Sequence, residues 1–259
     1  MKKIYVLTAL LFFSISVVFA QEEEDKFGMD VSLNTDAFFG FAPAAFGSYS
    51  LSEKVDFTFY GIFWSGGTAD YRTGAINPSQ GGGASWGQWT EFGLGLNFAA
   101  GNFDINPAIG LLGGNLLSGF GEAQFPDGIV PNLTVNYSSD ALEGNFYYGY
   151  YAGLSEGQLP GGAGDVASTF NYVHYWASLG YVASDFFSFG LRWEHLYFAG
   201  GSNIDESSQY YQSFGPYVTF SDPNGGSYLS FNFGGNLADE EERVFEPGEF
   251  WKLTVGYSF

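Results

Sequence analysis

Cysteine and histidine, which serve most readily as nucleophile and general base near neutral pH, are absent or scarce in this chain. It contains no cysteine and only two histidines, His174 and His195. A serine nucleophile needs its base within hydrogen-bond reach. Neither histidine has a serine two positions away, the spacing that places both side chains on one face of a strand. We therefore expect no catalytic residues, no enzymatic activity, no cofactor and no metal site.

Charged residues instead recur at alternate positions within apolar segments, as Asp56 does in Val55-Asp56-Phe57-Thr58-Phe59-Tyr60. In a strand this pattern puts the charges on one face and the apolar residues on the other. The candidate selectivity residues on the polar face are Asp56, Glu91, Asp104, Glu143, Arg192, Glu194 and Lys252. With Asp30 and Asp36 the face carries seven acidic and two basic residues.

Charges of one sign in a narrow pore set an electrostatic barrier. A lumen lined by this face is therefore expected to prefer cations or neutral polar solutes mildly. The alternative is that the charges pair with one another and fill a closed interior. Arg192 and Glu194, two positions apart on one face, fit such a network.

Alternation with a period of two recurs along the chain and predicts strands rather than helices. The predicted strands span residues 29–39, 42–51, 55–64, 88–99, 103–113, 128–138, 142–153, 169–182, 186–198, 209–221, 227–236 and 249–259. Twelve strands result, and ten remain possible because the connection near Gly40 and Phe41 is short.

The predicted connections alternate in length. Tight turns fall at residues 52–54, 100–102, 139–141, 183–185 and 222–226, and mostly longer, glycine-rich loops lie between them. Short turns at one end and long loops at the other are typical of membrane-spanning barrels. We therefore predict an all-β fold, an antiparallel transmembrane β-barrel with short periplasmic turns and long extracellular loops.

Aromatic residues make up 20% of the chain and cluster near the predicted strand ends. Such residues form girdles at the two membrane interfaces. The expected girdle residues are Phe38, Phe39, Phe41, Phe63, Trp64, Trp86, Trp89, Phe186, Phe187, Phe250 and Trp251. Other aromatic residues are expected to point inward, namely Tyr60, Tyr147, Tyr151, Tyr172, Trp176 and Tyr217.

The last ten residues alternate apolar and polar side chains and end in Tyr257-Ser258-Phe259. This segment resembles the C-terminal assembly signal of bacterial outer-membrane β-barrel proteins, which ends in an aromatic residue, usually Phe. The resemblance implies recognition by the barrel-assembly machinery, with Tyr257 and Phe259 as the residues that are read. It also implies the outer membrane of a Gram-negative bacterium as the location, without indicating one particular family.

The N-terminus resembles an export signal: Met1-Lys2-Lys3 is basic, an apolar run follows, and small residues precede Gln21. The expected organisation is a cleaved signal peptide at 1–20, a short acidic periplasmic segment at 21–28 and a barrel at 29–259.

Loss of Lys2 and Lys3 with the signal peptide takes the formal charge from −20 to −22. So acidic a protein is a poor partner for nucleic acid, because phosphate contacts need lysine and arginine.

Three functional hypotheses follow for a barrel embedded in outer-membrane lipid. The first is a passive diffusion channel, or porin, for small polar or cationic solutes. The second is a closed structural or surface-interaction barrel that acts through its extracellular loops, residues 65–87, 114–127 and 154–168. The third, a lipid hydrolase, has only His174 and His195 to support it.

Acidic loop residues such as Asp205 and Glu206 either bridge to lipopolysaccharide through divalent ions or are simply solvated.

Overall fold

The computed structural model describes residues 26–66, 85–114, 116–118, 123–157, 167–241, 243 and 247–259. The expected signal peptide, and all but the last three residues of the expected N-terminal segment, lie outside these ranges. Within the described ranges, no helical segment has the length and apolar character that a membrane crossing requires.

Twelve antiparallel strands form a closed barrel, in which β1 pairs with β12 and every other strand pairs with its neighbours in the sequence. The strands are β1 (Phe27–Asp36), β2 (Gly40–Ser52), β3 (Val55–Gly66), β4 (Ser85–Ala100), β5 (Phe103–Gly114), β6 (Gln124–Ser138), β7 (Leu142–Gly153), β8 (Tyr172–Ser184), β9 (Phe187–Phe198), β10 (Ser208–Ser221), β11 (Ser227–Asn236) and β12 (Glu249–Ser258). The prediction of a twelve-stranded barrel is confirmed, and a ten-stranded barrel is excluded.

The short connection near Gly40 and Phe41 is a tight turn of three residues, 37–39, between β1 and β2. One carboxylate oxygen of Asp36 accepts hydrogen bonds from the backbone N–H groups of Phe38 and Phe39. Gly40 follows with a φ of 70°, a conformation that glycine adopts without steric cost. Strand β1 therefore ends three residues earlier than the alternation predicted.

Two distinct faces result from the period of two. Outward positions carry large apolar side chains that are exposed on the isolated barrel, such as Leu33, Leu94 and Leu179. A continuous apolar band of this kind would be a liability in water and is what a lipid-facing surface requires. Inward positions carry many polar and small residues, and large apolar side chains gather among them at one end of the barrel.

Connection lengths alternate as predicted. The turns β2–β3, β4–β5, β6–β7, β8–β9 and β10–β11 have two to five residues between strands, and they share one end of the barrel. Both described termini lie at that end, because Phe259 and Met29 exchange backbone hydrogen bonds of 2.8 Å. The opposite end carries the long loops and the 37–39 turn.

Candidate functional site

The barrel interior at the long-loop end is filled by apolar side chains, which we call the apolar plug. Its members are Phe38, Phe39, Leu112, Leu117, Val130, Tyr151, Phe170, Tyr172, Leu196, Phe198, Tyr211 and Phe250. They come from strands β5–β10 and β12 and from three connections. The ring of Tyr211 stacks on Phe250 with centroids 4.8 Å apart and contacts Phe38 at 5.1 Å. The lumen is therefore packed at this end.

Three connections turn inward to complete the plug, and the one between β7 and β8 contributes Phe170, which is 2% exposed. The 37–39 turn places Phe38 and Phe39 inside, 5% and 9% exposed. In the β5–β6 connection, the Leu117 side chain is fully buried. The backbone N–H of Leu117 donates to Asp127 at 2.7 Å, and its carbonyl accepts from the N–H of Phe170 at 2.9 Å.

The plug corrects part of the expected aromatic girdle. Phe38, Phe39, Trp89 and Phe250 are buried instead of facing lipid. The alternation of side chains along β12 explains why Phe250 is buried, because Phe250 shares the inward face with Lys252 and Thr254. Phe63, Phe186 and Trp251 are exposed, as a girdle requires, whereas Trp64 and Trp86 lie outside the described side chains.

A charged cluster centred on Glu194 lies beneath the plug. Arg192 donates two hydrogen bonds to Glu194 Oε2, from Nε at 3.0 Å and from Nη2 at 2.7 Å. The other oxygen, Oε1, accepts from the Tyr211 hydroxyl at 2.8 Å and lies 3.0 Å from Nε2 of His174. Both Glu194 oxygens are thus satisfied, which a buried carboxylate requires. The predicted pairing of Arg192 with Glu194 is confirmed.

A second network occupies the β3–β6 wall. The Tyr60 hydroxyl donates to buried Glu91 at 2.7 Å and accepts from Asn132 at 2.8 Å. Nearer the short turns, the Asn97 amide donates to Asp56 and to Asp104, both at 3.3 Å. These acidic side chains therefore point inward and are partly satisfied by neutral donors.

A chamber of about 510 Å³ lies beside these networks. Its lining includes three acidic residues, Asp30, Asp36 and Glu143, and two basic residues, Arg192 and Lys252. One oxygen of Glu143 accepts hydrogen bonds from Ser188 at 2.8 Å and from Tyr217 at 2.7 Å. The chamber wall is thus nearly balanced in charge, although acidic residues predominate over the whole polar face.

Trp176 forms an aromatic platform on the chamber wall. One neighbour, Tyr147, stacks against it with centroids 4.1 Å apart and an interplanar angle of 17°. Two cations lie near the same indole, with Arg192 Cζ at 5.0 Å and Lys252 Nζ at 5.6 Å from the ring centroid. Both distances are within the range of cation–π attraction.

The two histidines are separated by the barrel wall. His174 points inward to Glu194, whereas His195 is on the outward face, with Nδ1 2.9 Å from the Tyr175 hydroxyl. Their hydrogen-bond partners are a carboxylate and tyrosine hydroxyls rather than a serine nucleophile. Among the described residues, no group of three or more His, Asp or Glu side chains could hold a metal ion.

All seven predicted selectivity residues point into the barrel, but they form separate groups. Asp56 and Asp104 meet through Asn97, Glu91 joins Tyr60, and Arg192 joins Glu194. Glu143 and Lys252 line the chamber. The sequence did not predict that Tyr211 and His174 belong to the Glu194 cluster, although both occupy inward positions on their strands.

The predicted assembly-signal residues lie on the outward face of β12. Tyr257 and Phe259 are exposed, and their rings are 5.9 Å apart. Tyr257 pairs with Val31 across the β1–β12 seam that closes the barrel.

Solved outer-membrane barrels resemble this structure. The COG4313 outer membrane channel from Pseudomonas putida F1 aligns with 90% of this chain and 95% of its own, at 14% identity and a TM-score of 0.54. The NanC porin aligns with 89% of this chain and 98% of its own, at 11% identity and a TM-score of 0.50. This chain spans only 62% of a porin refined at 1.8 Å, with 12% identity and a TM-score of 0.44.

At these identities the similarity shows the fold alone, a closed antiparallel β-barrel. No curated protein matches the sequence significantly. The profile of one family matches residues 1–259. The chain therefore belongs to DUF6733, a family of unknown function.

Proposed function

We propose that the protein is a passive channel of the outer membrane for small polar or cationic solutes. The observation that carries this proposal is the chamber of about 510 Å³, lined by hydroxyl, amide and charged groups within a closed barrel. A volume in this range holds a small organic molecule. The neighbours named as a channel and a porin support the proposal by analogy of fold.

The apolar plug is the gate of this channel. The 37–39 turn contributes two of its rings and is attached to the wall by Asp36 and by a backbone hydrogen bond of 3.0 Å from Ala37 to Trp251. A solute crosses only when these side chains move aside. We therefore expect brief, infrequent openings from the native barrel.

Single-channel recording of the refolded protein in planar bilayers tests the proposal. We expect small cation-preferring steps, and longer or larger openings after combined Phe38→Ala and Phe39→Ala substitution. Phe92→Ala, which removes the same ring from the lipid-facing side of β4, is the matched control and leaves the openings unchanged. Silent bilayers for both the native protein and the double variant contradict the channel proposal.

The proposed cation preference rests on the acidic side chains of the polar face. Asp56→Asn and Asp104→Asn each remove one negative charge that is bonded to the Asn97 amide. The reversal potential under a salt gradient is expected to move toward zero in either variant. An unchanged potential excludes these two residues as selectivity determinants.

A closed barrel that acts through its outer loops is the second candidate function, favoured by the tight packing of the plug. It predicts silence in bilayers for all variants and loss of partner binding when residues of the 154–168 loop are removed. The bilayer experiment thus separates the two candidates directly.

A further inference from the structure

Lys252 is a chamber-lining cation whose hydrogen-bond donors are unused. An ammonium group has three donors. In the part of the chain that the structure describes, the Lys252 ammonium makes no hydrogen bond and has no carboxylate oxygen within 4.0 Å. Its contact is the face of Trp176, 5.6 Å away. The side chain is half-buried, so these donors are directed into a confined volume.

Of the two acidic groups nearest to Lys252, Glu194 has both oxygens bonded to other donors, whereas Asp36 has one. Asp36 is the Cα partner of Lys252 on β1, and one of its oxygens accepts two backbone N–H groups of the 37–39 turn. Glu194 is held by Arg192, His174 and Tyr211. These two carboxylates balance the charges of Lys252 and Arg192 without occupying the Lys252 donors.

Neutral hydrogen-bonding groups surround this cation. Hydroxyls and amides that line the same chamber come from Asn145, Ser178, Thr219, Ser230, Asn232 and Thr254. Such groups suit a solute with several hydroxyls, and the ammonium suits a carboxylate. Phe46 and Trp176 add apolar surface to the wall, as binding sites for small molecules commonly have.

We infer that the chamber contains a subsite for a small polyhydroxylated carboxylic acid, in which Lys252 binds the carboxylate and the surrounding side chains bind the hydroxyls. The inference rests on the proposed function, since it treats the chamber as the solute path. Binding is expected to be weak, because a conducting site must also release its solute. A cation preference of the whole lumen is compatible with this subsite, because Asp56 and Asp104, on which that preference rests, lie outside the chamber lining.

Gluconate and sorbitol form a matched pair of probes, since they share a six-carbon polyol chain and differ by the carboxylate. Isothermal titration calorimetry of the full-length mature barrel, refolded in detergent, is expected to give at least tenfold tighter binding of gluconate than of sorbitol. Lys252→Gln abolishes this difference and Lys252→Arg retains most of it. Lys54→Gln, at an exposed turn between β2 and β3, removes the same charge elsewhere and changes nothing.

Equal affinity of the native barrel for the two probes overturns the inference, as does a gluconate preference that survives Lys252→Gln. If Lys252→Gln does not fold, the test remains decisive, because the affinities of the native barrel for gluconate and sorbitol and the retained preference of Lys252→Arg can still be measured. Bilayer recording of the same samples separates the two proposals. Conducting channels that gluconate does not block refute the subsite alone, whereas gluconate binding by a silent barrel refutes the channel alone.

Discussion

Adjacent residues at the middle of β8 provide a direct test of which face meets lipid. Leu179 is exposed outward and pairs with outward Leu191 on β9. Ser178 points inward and lines the chamber. An arginine at position 179 would place its guanidinium in hydrocarbon, whereas an arginine at position 178 would enter a chamber of about 510 Å³ whose lining includes charged and polar side chains.

A lipid-facing arginine near the bilayer midplane costs about 2–4 kcal/mol in outer-membrane barrels. At about 1.4 kcal/mol per tenfold change, Leu179→Arg should lower the folding equilibrium constant by about 30- to 700-fold. Ser178→Arg should cost about 1 kcal/mol, because the chamber has space and the main penalty is repulsion from Arg192, the direct cross-strand partner of residue 178. Leu229→Arg, close to the short-turn end of β11, should also cost about 1 kcal/mol or less because the penalty falls near the interface.

The assay is urea unfolding of each variant reconstituted in phospholipid vesicles, followed by tryptophan fluorescence and by the mobility of unheated samples on gels. A large loss of stability is expected for Leu179→Arg alone. Equal losses for Leu179→Arg and Ser178→Arg, or a larger loss for Ser178→Arg, would refute the assignment of the two faces.

Three further perturbations follow from the interior contacts and the C-terminus. Glu194→Ala removes a buried carboxylate bonded to Arg192 and should cost about 3–5 kcal/mol in the same unfolding assay, whereas exposed Glu249→Gln should stay within about 0.5 kcal/mol. Tyr60→Phe deletes the hydroxyl between Glu91 and Asn132 and should cost about 1–3 kcal/mol; a neutral result would mean that water replaces it. Phe259→Ala should lower the amount of assembled barrel in cells, measured by gel mobility, while the refolded protein keeps its stability; equal assembly contradicts the proposed role in recognition.

Strand number and strand bounds were predictable because a period of two survives wherever one face meets lipid and the other meets water. The β5, β7 and β11 bounds agree with prediction to within one residue. Strand β1 was extended too far because Phe38 and Phe39 continue an apolar pattern. Their direction depends on Asp36, whose carboxylate accepts the backbone N–H groups of both. A turn fixed by a side chain leaves no periodic signal.

The inward direction of the charged residues was predictable for the same reason, but their partners were not. Arg192 and Glu194 are on one strand, so their pairing is local. His174 and Tyr211 reach Glu194 from β8 and β10, and only the register between strands brings them together. Phe250 was misplaced because it was grouped with its neighbour Trp251, although strand parity puts it with Lys252.

The plug and the Glu194 cluster together determine what the lumenal charges can do. A simple count of the polar face gives an acidic lumen, yet buried Glu194 is held by Arg192 beneath the plug. Asp56 and Asp104 share the Asn97 amide outside the chamber lining. Lys252 is left as a cation whose donors face the chamber. An ion pair adds little to the field that a solute meets, because its two charges largely cancel. The Asn97 amide is neutral and leaves the charges of Asp56 and Asp104 in place. The selectivity of this barrel therefore depends on which charges lack an opposite charge rather than on their total.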